Sequence, residues 1–387
     1  MTFSSLVPTN TGNILQKLDA MRLELIEQGV DVINLSAGTP DLQPPQSVMD
    51  AIAKASSDPE NYKYSLMDLP ELHDSVITWY DKRYGVSLNT NQVIAVHGSQ
   101  DGMATIFHAL VEPGDTVLVG TPTYPIFSYG PKLARARVIT IPLVESNDYL
   151  IDFDAIDTHV AQAAKVIVVS YPCNPIGAVA PREWYEKLIA WAKQYDVIVI
   201  HDNAYSEYVH DGEPGGSFLS VPGALDVGIE FNSLSKSYNL TGIRISFALG
   251  NEQIIDAYKK LRSEIDYGLS FIDQVGAIAA LADVDGTVEK NRIAYKERRD
   301  AFCDALNELG WQVDYTPATM FTWFKLPEAY ANDSEGFVIE LLKRTGVICV
   351  PGSSFGEGGE GYVRFALVCE VDVLLEAARR IAQSGLI

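Results

Sequence analysis

Short runs of β-branched and other apolar residues alternate with helical stretches from about residue 45 to about residue 250. The apolar runs cover 93–96, 116–119, 138–141, 166–169 and 197–200, and the helical stretches cover 46–56, 70–84, 100–111 and 181–195. Continuous apolar strands between helices indicate a mainly parallel sheet that helices cover on both faces. Ligands of such sheets bind beyond the carboxyl ends of the strands, so the residues after each run are candidate site residues.

The pattern changes beyond residue 285, where helical and strand-like segments describe a smaller α+β unit. Before it, residues 251–284 contain few helix breakers and predict one long helix. A chain of 387 residues is long enough for two domains. We therefore predict an α/β protein with a large domain over 46–284, whose mainly parallel sheet is sandwiched by helices. Residues 285–387 would form a small α+β domain. Residues 1–45 would form an N-terminal arm and part of that small domain.

One lysine, Lys236, lies among small hydroxyl residues in a polar segment between two strand-like runs, and Arg244 follows eight positions later. A lysine that attacks carbonyls must spend time unprotonated, which requires desolvation or a cationic neighbour. Hydroxyl groups and an arginine beside it could hold a phosphate. A lysine nucleophile next to a phosphate site is what a pyridoxal phosphate (PLP) enzyme requires. The alternative for this segment alone is a solvated loop lysine.

Polar or aromatic side chains follow the ends of the other runs. Asp202 ends a run that is typical of a fully buried strand, where a carboxylate is costly unless it is paired. Arg364 alternates with apolar neighbours in a strand-like run, so its guanidinium leaves the strand on the face opposite Val363 and Phe365. After the run 93–96, Gly98 and Ser99 form a turn that opens a helix. The backbone N–H groups of such a turn can bind an anion, although an ordinary N-cap has the same sequence pattern. The remaining candidates are Ser99, Gln100, Asp101, Tyr124, Asn174 and Tyr205.

The charge balance and the cysteines exclude several classes of function. The formal net charge is -22, from 51 acidic and 29 basic residues, which disfavours nucleic acid and anionic membranes as partners. Four scattered cysteines without a C-x-x-C pair predict reduced thiols and no zinc site. The N-terminus lacks the basic and apolar regions of a secretory signal, and no apolar run approaches the ~20 residues of a membrane span. We expect a cytoplasmic protein without a metal.

Taken together, these positions resemble the class I/II aminotransferases, the fold-type I PLP enzymes. The resemblance extends from Gly38-Thr39-Pro40-Asp41 to Arg364. Its most specific part is the Lys236 segment with Arg244, joined upstream by Asn174-Pro175-x-Gly177 and Asp202-x-x-Tyr205 in the family's order and spacing. Residues 98–102 and 261–268 look most similar to the branch that holds LL-diaminopimelate and alanine-type aminotransferases. The resemblance implies an amino group transfer from an α-amino acid to a 2-oxo acid by a ping-pong mechanism.

The resemblance also implies a role for each residue of the cofactor site. Lys236 would form the Schiff base with PLP and move the substrate proton, and Asp202 would keep the pyridine nitrogen protonated. Asn174 and Tyr205 would hydrogen-bond the cofactor's phenolic oxygen. The other residues would stack on the ring (Tyr124) or form the phosphate cup (Ser99, Gln100, Ser233, Arg244 and the backbone N–H of Asp101).

Two further roles concern the substrate and a second subunit. Arg364 would bind the substrate α-carboxylate bidentately, assisted by the N–H of Gly38, with Asn174 beside it. Tyr64 aligns with the tyrosine that reaches the phosphate of the neighbouring subunit in the family, which implies a homodimer with shared active sites. The family's glycine after this tyrosine is absent here. Two further departures are Ile243, where the family has an aromatic residue, and Ser246, where it commonly has glycine.

Three alternatives compete with this interpretation. A C–S β-lyase of the same fold would use the same cofactor but eliminate a β-substituent, and no residue of the sequence separates the two reactions. Ser233-x-x-Lys236 matches the S-x-x-K motif of penicillin-recognising acyl enzymes, where the serine opens a helix and an export signal is needed. A PLP-fold transcription regulator would need a basic DNA-binding domain, whereas only about 30 acidic-to-neutral residues precede the first strand.

Overall fold

A computed structural model describes residues 3–7, 14–212 and 215–387. The helices are α1 Ile14–Glu27, α2 Gln46–Ser56, α3 Pro70–Tyr84, α4 Ser99–Thr105, α5 Phe107–Leu110, α6 Ile126–Leu133, α7 Thr158–Ala163, α8 Arg182–Tyr195, α9 Ala224–Val227, α10 Leu234–Ser237, α11 Glu252–Arg262, α12 Phe271–Leu281, α13 Thr287–Glu308, α14 Ser334–Thr345 and α15 Val371–Gln383. The strands are β1 Ile33–Asn34, β2 Val93–Val96, β3 Thr116–Thr121, β4 Arg137–Pro142, β5 Ala164–Ser170, β6 Ile198–Asp202, β7 Gly228–Ser233, β8 Ser246–Gly250, β9 Phe321–Lys325, β10 Val347–Ile348, β11 Val350–Pro351 and β12 Tyr362–Ala366.

The large sheet has seven strands in the order β2-β8-β7-β6-β5-β3-β4. Every neighbouring pair is parallel except the two that involve β8, which runs antiparallel to both β2 and β7. The α/β fold class and the mainly parallel sheet are therefore confirmed. All five apolar runs that predicted this sheet contribute a strand to it.

Both faces of the large sheet are buried, because successive residues of each strand pack into different clusters. Leu118 and Ile167 belong to the cluster on one face, whereas Val119 and Val168 belong to the cluster on the other. All four side chains are almost completely buried. Burying each such side chain contributes about 1.5–3 kcal/mol, so a sheet covered by helices on both faces is the stable arrangement for these runs.

Three neighbouring parallel strands end in polar residues at the same edge of the sheet. β5 ends at Ser170, β6 at Asp202 and β7 at Ser233. Ser170 and Asp202 are register partners, so their side chains lie side by side on one face. This edge is the position at which open α/β sheets bind their ligands.

The C-terminal part of the chain forms a second sheet, in which β12 lies between β11 and β9 and is antiparallel to both. Its core contains Phe302, Phe324 and Phe365, whose rings lie within 6.1 Å of one another. β1 pairs with β10 in parallel, which attaches the N-terminal segment to this part of the chain. The boundaries after residues 45 and 284 stay a prediction.

One prediction of secondary structure is wrong. Residues 251–284 form two helices, α11 and α12, because the chain turns between them at Gly268, which adopts φ +84° and donates its N–H to Asp266 Oδ1 at 2.8 Å. Within the described ranges, no helix has the length and apolar character required to cross a membrane.

Candidate active site

A cavity of about 540 Å³ opens at the carboxyl edge of the large sheet. Among the predicted site residues, Asp101 and Tyr64 do not line it. The predicted residues that do line it are Gly38, Ser99, Gln100, Tyr124, Asn174, Asp202, Tyr205, Ser233, Lys236, Arg244 and Arg364. Residues far apart in the sequence thus share one cavity, as the strand-end pattern predicted.

Lys236 lies on α10, a single helical turn between β7 and β8. Ser233 caps this turn by accepting the Ser235 N–H at 3.2 Å, and the Tyr208 hydroxyl donates to the Lys236 carbonyl at 2.6 Å. Lys236 Nζ donates to the Gly38 carbonyl at 2.7 Å. Burial, together with the positive charges of Arg364 and Arg244, lowers the pKa of Lys236 to about 8. Near neutral pH a usable fraction of this amine is therefore unprotonated.

Asp202 is buried at the end of β6, and its Oδ1 has no hydrogen-bond partner among the described residues. Loss of solvation raises the pKa of this carboxyl to about 7. The preceding residue, His201, points to the opposite face of the sheet, where its Nδ1 lies 2.9 Å from Glu230 Oε2. A buried carboxylate that lacks a partner is suited to a ligand that brings a cationic N–H group.

Arg364 extends from β12 into the cavity, as the strand alternation predicted. Its Nη1 donates to Asn174 Oδ1 at 2.9 Å, and its Nη2 donates to the Ser36 carbonyl at 3.1 Å. The guanidinium lies 4.1 Å from the ring centroid of Phe321 and 4.9 Å from that of Phe355. Its Nε has no partner within the described part of the chain. The aromatic rings hold the guanidinium by cation–π contact and leave a donor for an anionic ligand.

Phe321 was missed in the sequence, although it lines the cavity. In the sequence, Phe321 lies in a strand-like run, where a phenylalanine is typical of the core. Its ring contacts Arg364 because β9 pairs with β12. The Tyr205 ring lies 5.9 Å from the same ring. Ser235 and Thr241 of the lysine segment also line the cavity.

Arg244 lines one end of the cavity, and Gly98 packs directly against its guanidinium. Gly98 adopts φ +87°, and a Cβ at this position would overlap the Arg244 guanidinium. Arg244 Nη1 donates to the Thr241 carbonyl at 2.8 Å, which orients the side chain. Ser246, the departure from the family's glycine, donates its hydroxyl to Ser233 Oγ at 2.8 Å. The serine at this position thus extends the hydroxyl network instead of disrupting it.

Tyr124 and Gln100 form one wall of the cavity and are directly bonded. The Tyr124 hydroxyl donates to Gln100 Oε1 at 2.9 Å, and the Tyr124 ring lies 6.1 Å from the Phe127 ring. Burial raises the pKa of Tyr124, so this hydroxyl stays protonated at neutral pH.

The Asp101 carboxylate is bound outside the cavity, by α11. Arg262 Nη1 lies 2.7 Å from Asp101 Oδ2, and Arg262 Nη2 lies 2.5 Å from Asp266 Oδ2. The Arg262 side chain is buried and also lies over the Tyr258 ring at 5.9 Å. This ion pair explains how a carboxylate is tolerated at the start of α4 beside a predicted phosphate site.

Tyr64 lies on the surface, away from the cavity of its own chain. Its side chain is 76% exposed, and its ring lies 4.9 Å from that of Tyr267. Leu66 and Met67 beside it are equally exposed. Exposed apolar side chains that adjoin one another are typical of a surface covered by another protein.

The residues present fit PLP at this site. The unpartnered Asp202 Oδ1 can accept a pyridinium N–H, and the amine with the lowered pKa, Lys236, lies in the same cavity. Arg244 and the serine hydroxyls form a donor set for a phosphate. These three chemical requirements are met at the carboxyl edge of the sheet.

Comparisons with known proteins decide the family. The family model described as aminotransferase class I and II matches residues 30–381. The chain belongs to the class I and II aminotransferases. It is 43% identical to the LL-diaminopimelate aminotransferase of Aquifex aeolicus over 370 residues, which cover 95% of each chain.

Solved structures agree with this family. The aminotransferase superposes on the substrate-bound structure of BacF from Bacillus subtilis with a TM-score of 0.95, at 33% identity, over 100% of this chain and 98% of that one. It superposes on a mutant of the aspartate aminotransferase of Thermus thermophilus with a TM-score of 0.91, at 27% identity, over 99% and 100% of the two chains. The protein is thus a PLP-dependent aminotransferase of fold type I, which acts on amino acids and oxo acids.

Proposed function

We propose that Lys236 binds PLP covalently and that the other cavity residues hold the cofactor as the sequence predicts. The observation that carries this proposal is the proximity of an amine of lowered pKa, an unpartnered carboxylate and an arginine in one cavity. Asp202 would accept the pyridinium N–H, Arg244 with Ser99 and Ser233 would bind the phosphate, and the side chains of Asn174 and Tyr205 would bind the phenolic oxygen. Borohydride reduction followed by peptide mapping tests it, because the reduced adduct must be on Lys236.

The reaction follows from these positions. PLP supplies a ring that withdraws electrons and stabilises negative charge at the substrate α-carbon. Asp202, held ionised by the cationic ring nitrogen, preserves this property of the ring. Arg364 would orient the donor through its α-carboxylate, and Lys236 Nζ would accept the proton of the donor α-carbon and give it up again as the 2-oxo acid product forms. Because the first oxo acid would leave before the second oxo acid binds, the kinetics would be ping-pong.

We propose a donor of the LL-diaminopimelate class, a linear α-amino acid with a second charged end. The support is the name of the Aquifex relative and its similarity over nearly the full length of both chains. A panel of amino acids, each mixed with the PLP form in the absence of an oxo acid, tests the proposal by the loss of the PLP absorbance. Release of pyruvate from cystathionine, without transamination, would instead support the C–S β-lyase.

We propose that the enzyme is a homodimer in which Tyr64 of each subunit completes the phosphate site of the other. The exposed apolar surface around Tyr64 supports this arrangement. Mixing subunits that carry Lys236→Ala with subunits that carry Tyr64→Ala tests it, because a mixed dimer would contain one intact site. Activity should return to up to about a quarter of the wild-type rate; no gain on mixing, or an active monomer in sedimentation, would contradict a shared site.

The four free cysteines support a cytoplasmic location.

A further inference from the structure

His201 and Glu230 form an ion pair that is completely buried behind the candidate active site. Both side chains are 0% exposed, and His201 Nδ1 lies 2.9 Å from Glu230 Oε2. His201 directly precedes Asp202 in β6, so the two side chains leave the sheet on opposite faces. We call the face on which His201 lies the back face. A buried pair contributes little net stability, because desolvation offsets the attraction of the charges, so the groups that it orients are of more interest.

Further donors surround the Glu230 carboxylate on the back face. Its Oε1 accepts from the Tyr80 hydroxyl at 2.8 Å and from the Ser217 hydroxyl at 2.9 Å. Its Oε2 accepts from the Phe218 N–H at 2.9 Å. This is the environment of an ionised carboxylate, which only accepts hydrogen bonds. The contact with His201 is therefore a hydrogen bond that Nδ1 donates.

The other nitrogen of the imidazole faces the backbone of Tyr171. His201 Nε2 lies 3.2 Å from the Tyr171 carbonyl oxygen and 3.2 Å from the Tyr185 hydroxyl, which itself donates to that carbonyl at 3.3 Å. A backbone carbonyl can only accept, and the hydroxyl hydrogen of Tyr185 is directed at the same carbonyl, so Nε2 is a donor as well. His201 is thus an imidazolium that donates through both nitrogens, with Glu230 as its counter-ion.

Tyr171 directly follows β5 and begins the loop that carries Asn174. This loop closes on itself through backbone hydrogen bonds. The Gly177 N–H donates to the Cys173 carbonyl at 2.7 Å, and the Cys173 N–H donates to the Ala178 carbonyl at 3.2 Å. Because these bonds make the loop a compact unit, a displacement of Tyr171 would move the Asn174 side chain with it.

Asn174 and Asp202 belong to different elements but would contact the same PLP ring. Asn174 Oδ1 accepts from Arg364, so its Nδ2 is the group that can donate to the phenolic oxygen. Asp202 Oδ1 would accept the pyridinium N–H. One rigid ring can make both contacts only if the amide and the carboxylate are correctly spaced. His201 connects the two elements, because it is the chain neighbour of Asp202 and binds the start of the Asn174 loop.

Resting on the function proposed above, we propose that His201 is a positioning residue that fixes the Asn174 amide relative to Asp202 by donating to the Tyr171 carbonyl on the back face. Glu230 keeps the imidazole oriented and protonated, so Nε2 always carries the hydrogen that the carbonyl accepts. The effect can be measured at the Schiff base. A hydrogen bond from Asn174 to the phenolic oxygen draws negative charge away from the Schiff-base nitrogen and so lowers its pKa.

Two substitutions at His201 separate its two hydrogen bonds. An asparagine amide nitrogen can take the place of Nδ1, and a glutamine amide nitrogen can take the place of Nε2. His201→Asn therefore keeps the bond to Glu230 and loses the bond to Tyr171, whereas His201→Gln does the reverse. Both remove the same positive charge and bury the same amide group, so each is the matched control for the other. The charges that face Lys236 are the same in both variants: Arg364, Arg244 and Asp202.

The quantity to measure is the midpoint pH at which the absorbance of PLP bound to the protein changes by half. His201→Asn should raise this midpoint by about one pH unit relative to His201→Gln, because the bond to the phenolic oxygen is weakened. The dissociation constant of PLP, from fluorescence titration of the unloaded protein, should also be about fivefold higher for His201→Asn. A merely structural role would destabilise both variants and leave their midpoints equal, and equal midpoints would overturn the proposal.

A second background tests whether the effect passes through Asn174. In Asn174→Ala protein the two His201 variants should have the same midpoint, since the amide that His201 positions is gone. A difference that persists in this background would contradict the proposal.

A further variant covers the case in which neither His201 variant folds. Tyr185→Phe removes the other donor to the Tyr171 carbonyl and should raise the midpoint in the wild-type background, though not beside Asn174→Ala. An unchanged midpoint in the wild-type background would then overturn the proposal. If borohydride mapping does not find PLP on Lys236, the proposed function itself fails, and that outcome is identified on the wild-type protein without any His201 variant.

Discussion

Asn174 Oδ1 accepts a 2.9 Å hydrogen bond from Arg364 Nη1, so a loop after β5 in the large sheet fixes a guanidinium that originates in the C-terminal sheet. The same guanidinium is bound by the Ser36 carbonyl and packs on Phe321. Its orientation is therefore set before any substrate arrives.

Arg364→Lys should weaken donor binding without affecting PLP. A lysine ammonium cannot form two parallel hydrogen bonds with a carboxylate, so we expect KM for α-amino acids to rise about tenfold to a hundredfold. The absorbance of bound PLP should not change. Steady-state kinetics with Arg379→Lys, an exposed arginine on α15, serve as the control; an unchanged KM would show that the carboxylate binds elsewhere.

Gly98→Ala should weaken PLP binding, because a methyl group at this position displaces the Arg244 guanidinium. Gly114→Ala is the matched control: Gly114 also has a positive φ, +95°, but a Cβ there meets no atom within 4 Å. Both variants carry the strain of a non-glycine residue at positive φ, of about 1–3 kcal/mol. Only Gly98→Ala should raise the dissociation constant of PLP, measured by fluorescence titration of the unloaded protein; equal values for the two variants would contradict the phosphate role of Arg244.

Sequence patterns located the candidate site because its residues follow strand ends. Asp202 and Lys236 were identified by chemistry that is unusual at such positions, a carboxylate after a buried strand and a lysine among hydroxyl groups. Phe321 was not identified, because a strand phenylalanine is ordinary in sequence. Its contact with Arg364 depends on packing between distant segments, which a single sequence does not encode locally.

The order of the strands in the large sheet could not be predicted from the sequence either. β8 follows β7 in the chain and is inserted antiparallel between β7 and β2. The break between α11 and α12 was missed because only Gly268 marks it in the sequence. Arg262, at the end of α11, forms ion pairs with Asp101 of α4 and with Asp266 in the turn, and the pair with Asp101 depends on tertiary packing. The five apolar runs of the large sheet were predicted correctly, since the burial pattern of each lies within adjacent residues.

Asp202→Asn should flatten the pH dependence of stability of the unloaded protein. Burial raises the pKa of Asp202 to about 7, so the folded state binds a proton more tightly than the unfolded state does. Its contribution is therefore complete below about pH 4 and is lost as the pH rises to about 7, a change of up to about 4 kcal/mol. Urea unfolding of the PLP-free protein at several pH values measures this change. The exposed Asp154→Asn should retain the wild-type slope, and an identical slope for Asp202→Asn would contradict the pKa of the buried carboxyl.

The unloaded protein should capture PLP at a rate that follows the ionisation of Lys236. Only the neutral amine attacks the aldehyde carbon, and burial lowers the pKa of Lys236 to about 8. We expect the rate to rise about tenfold per pH unit below pH 8 and to level off above it. Nα-acetyl-lysine, whose amine keeps its ordinary pKa of about 10.4, provides the matched reaction that corrects for titration of PLP itself. A protein rate that continues to rise to pH 10 would mean that the amine is solvated before PLP binds, and the desolvation of the cavity would then not account for its reactivity.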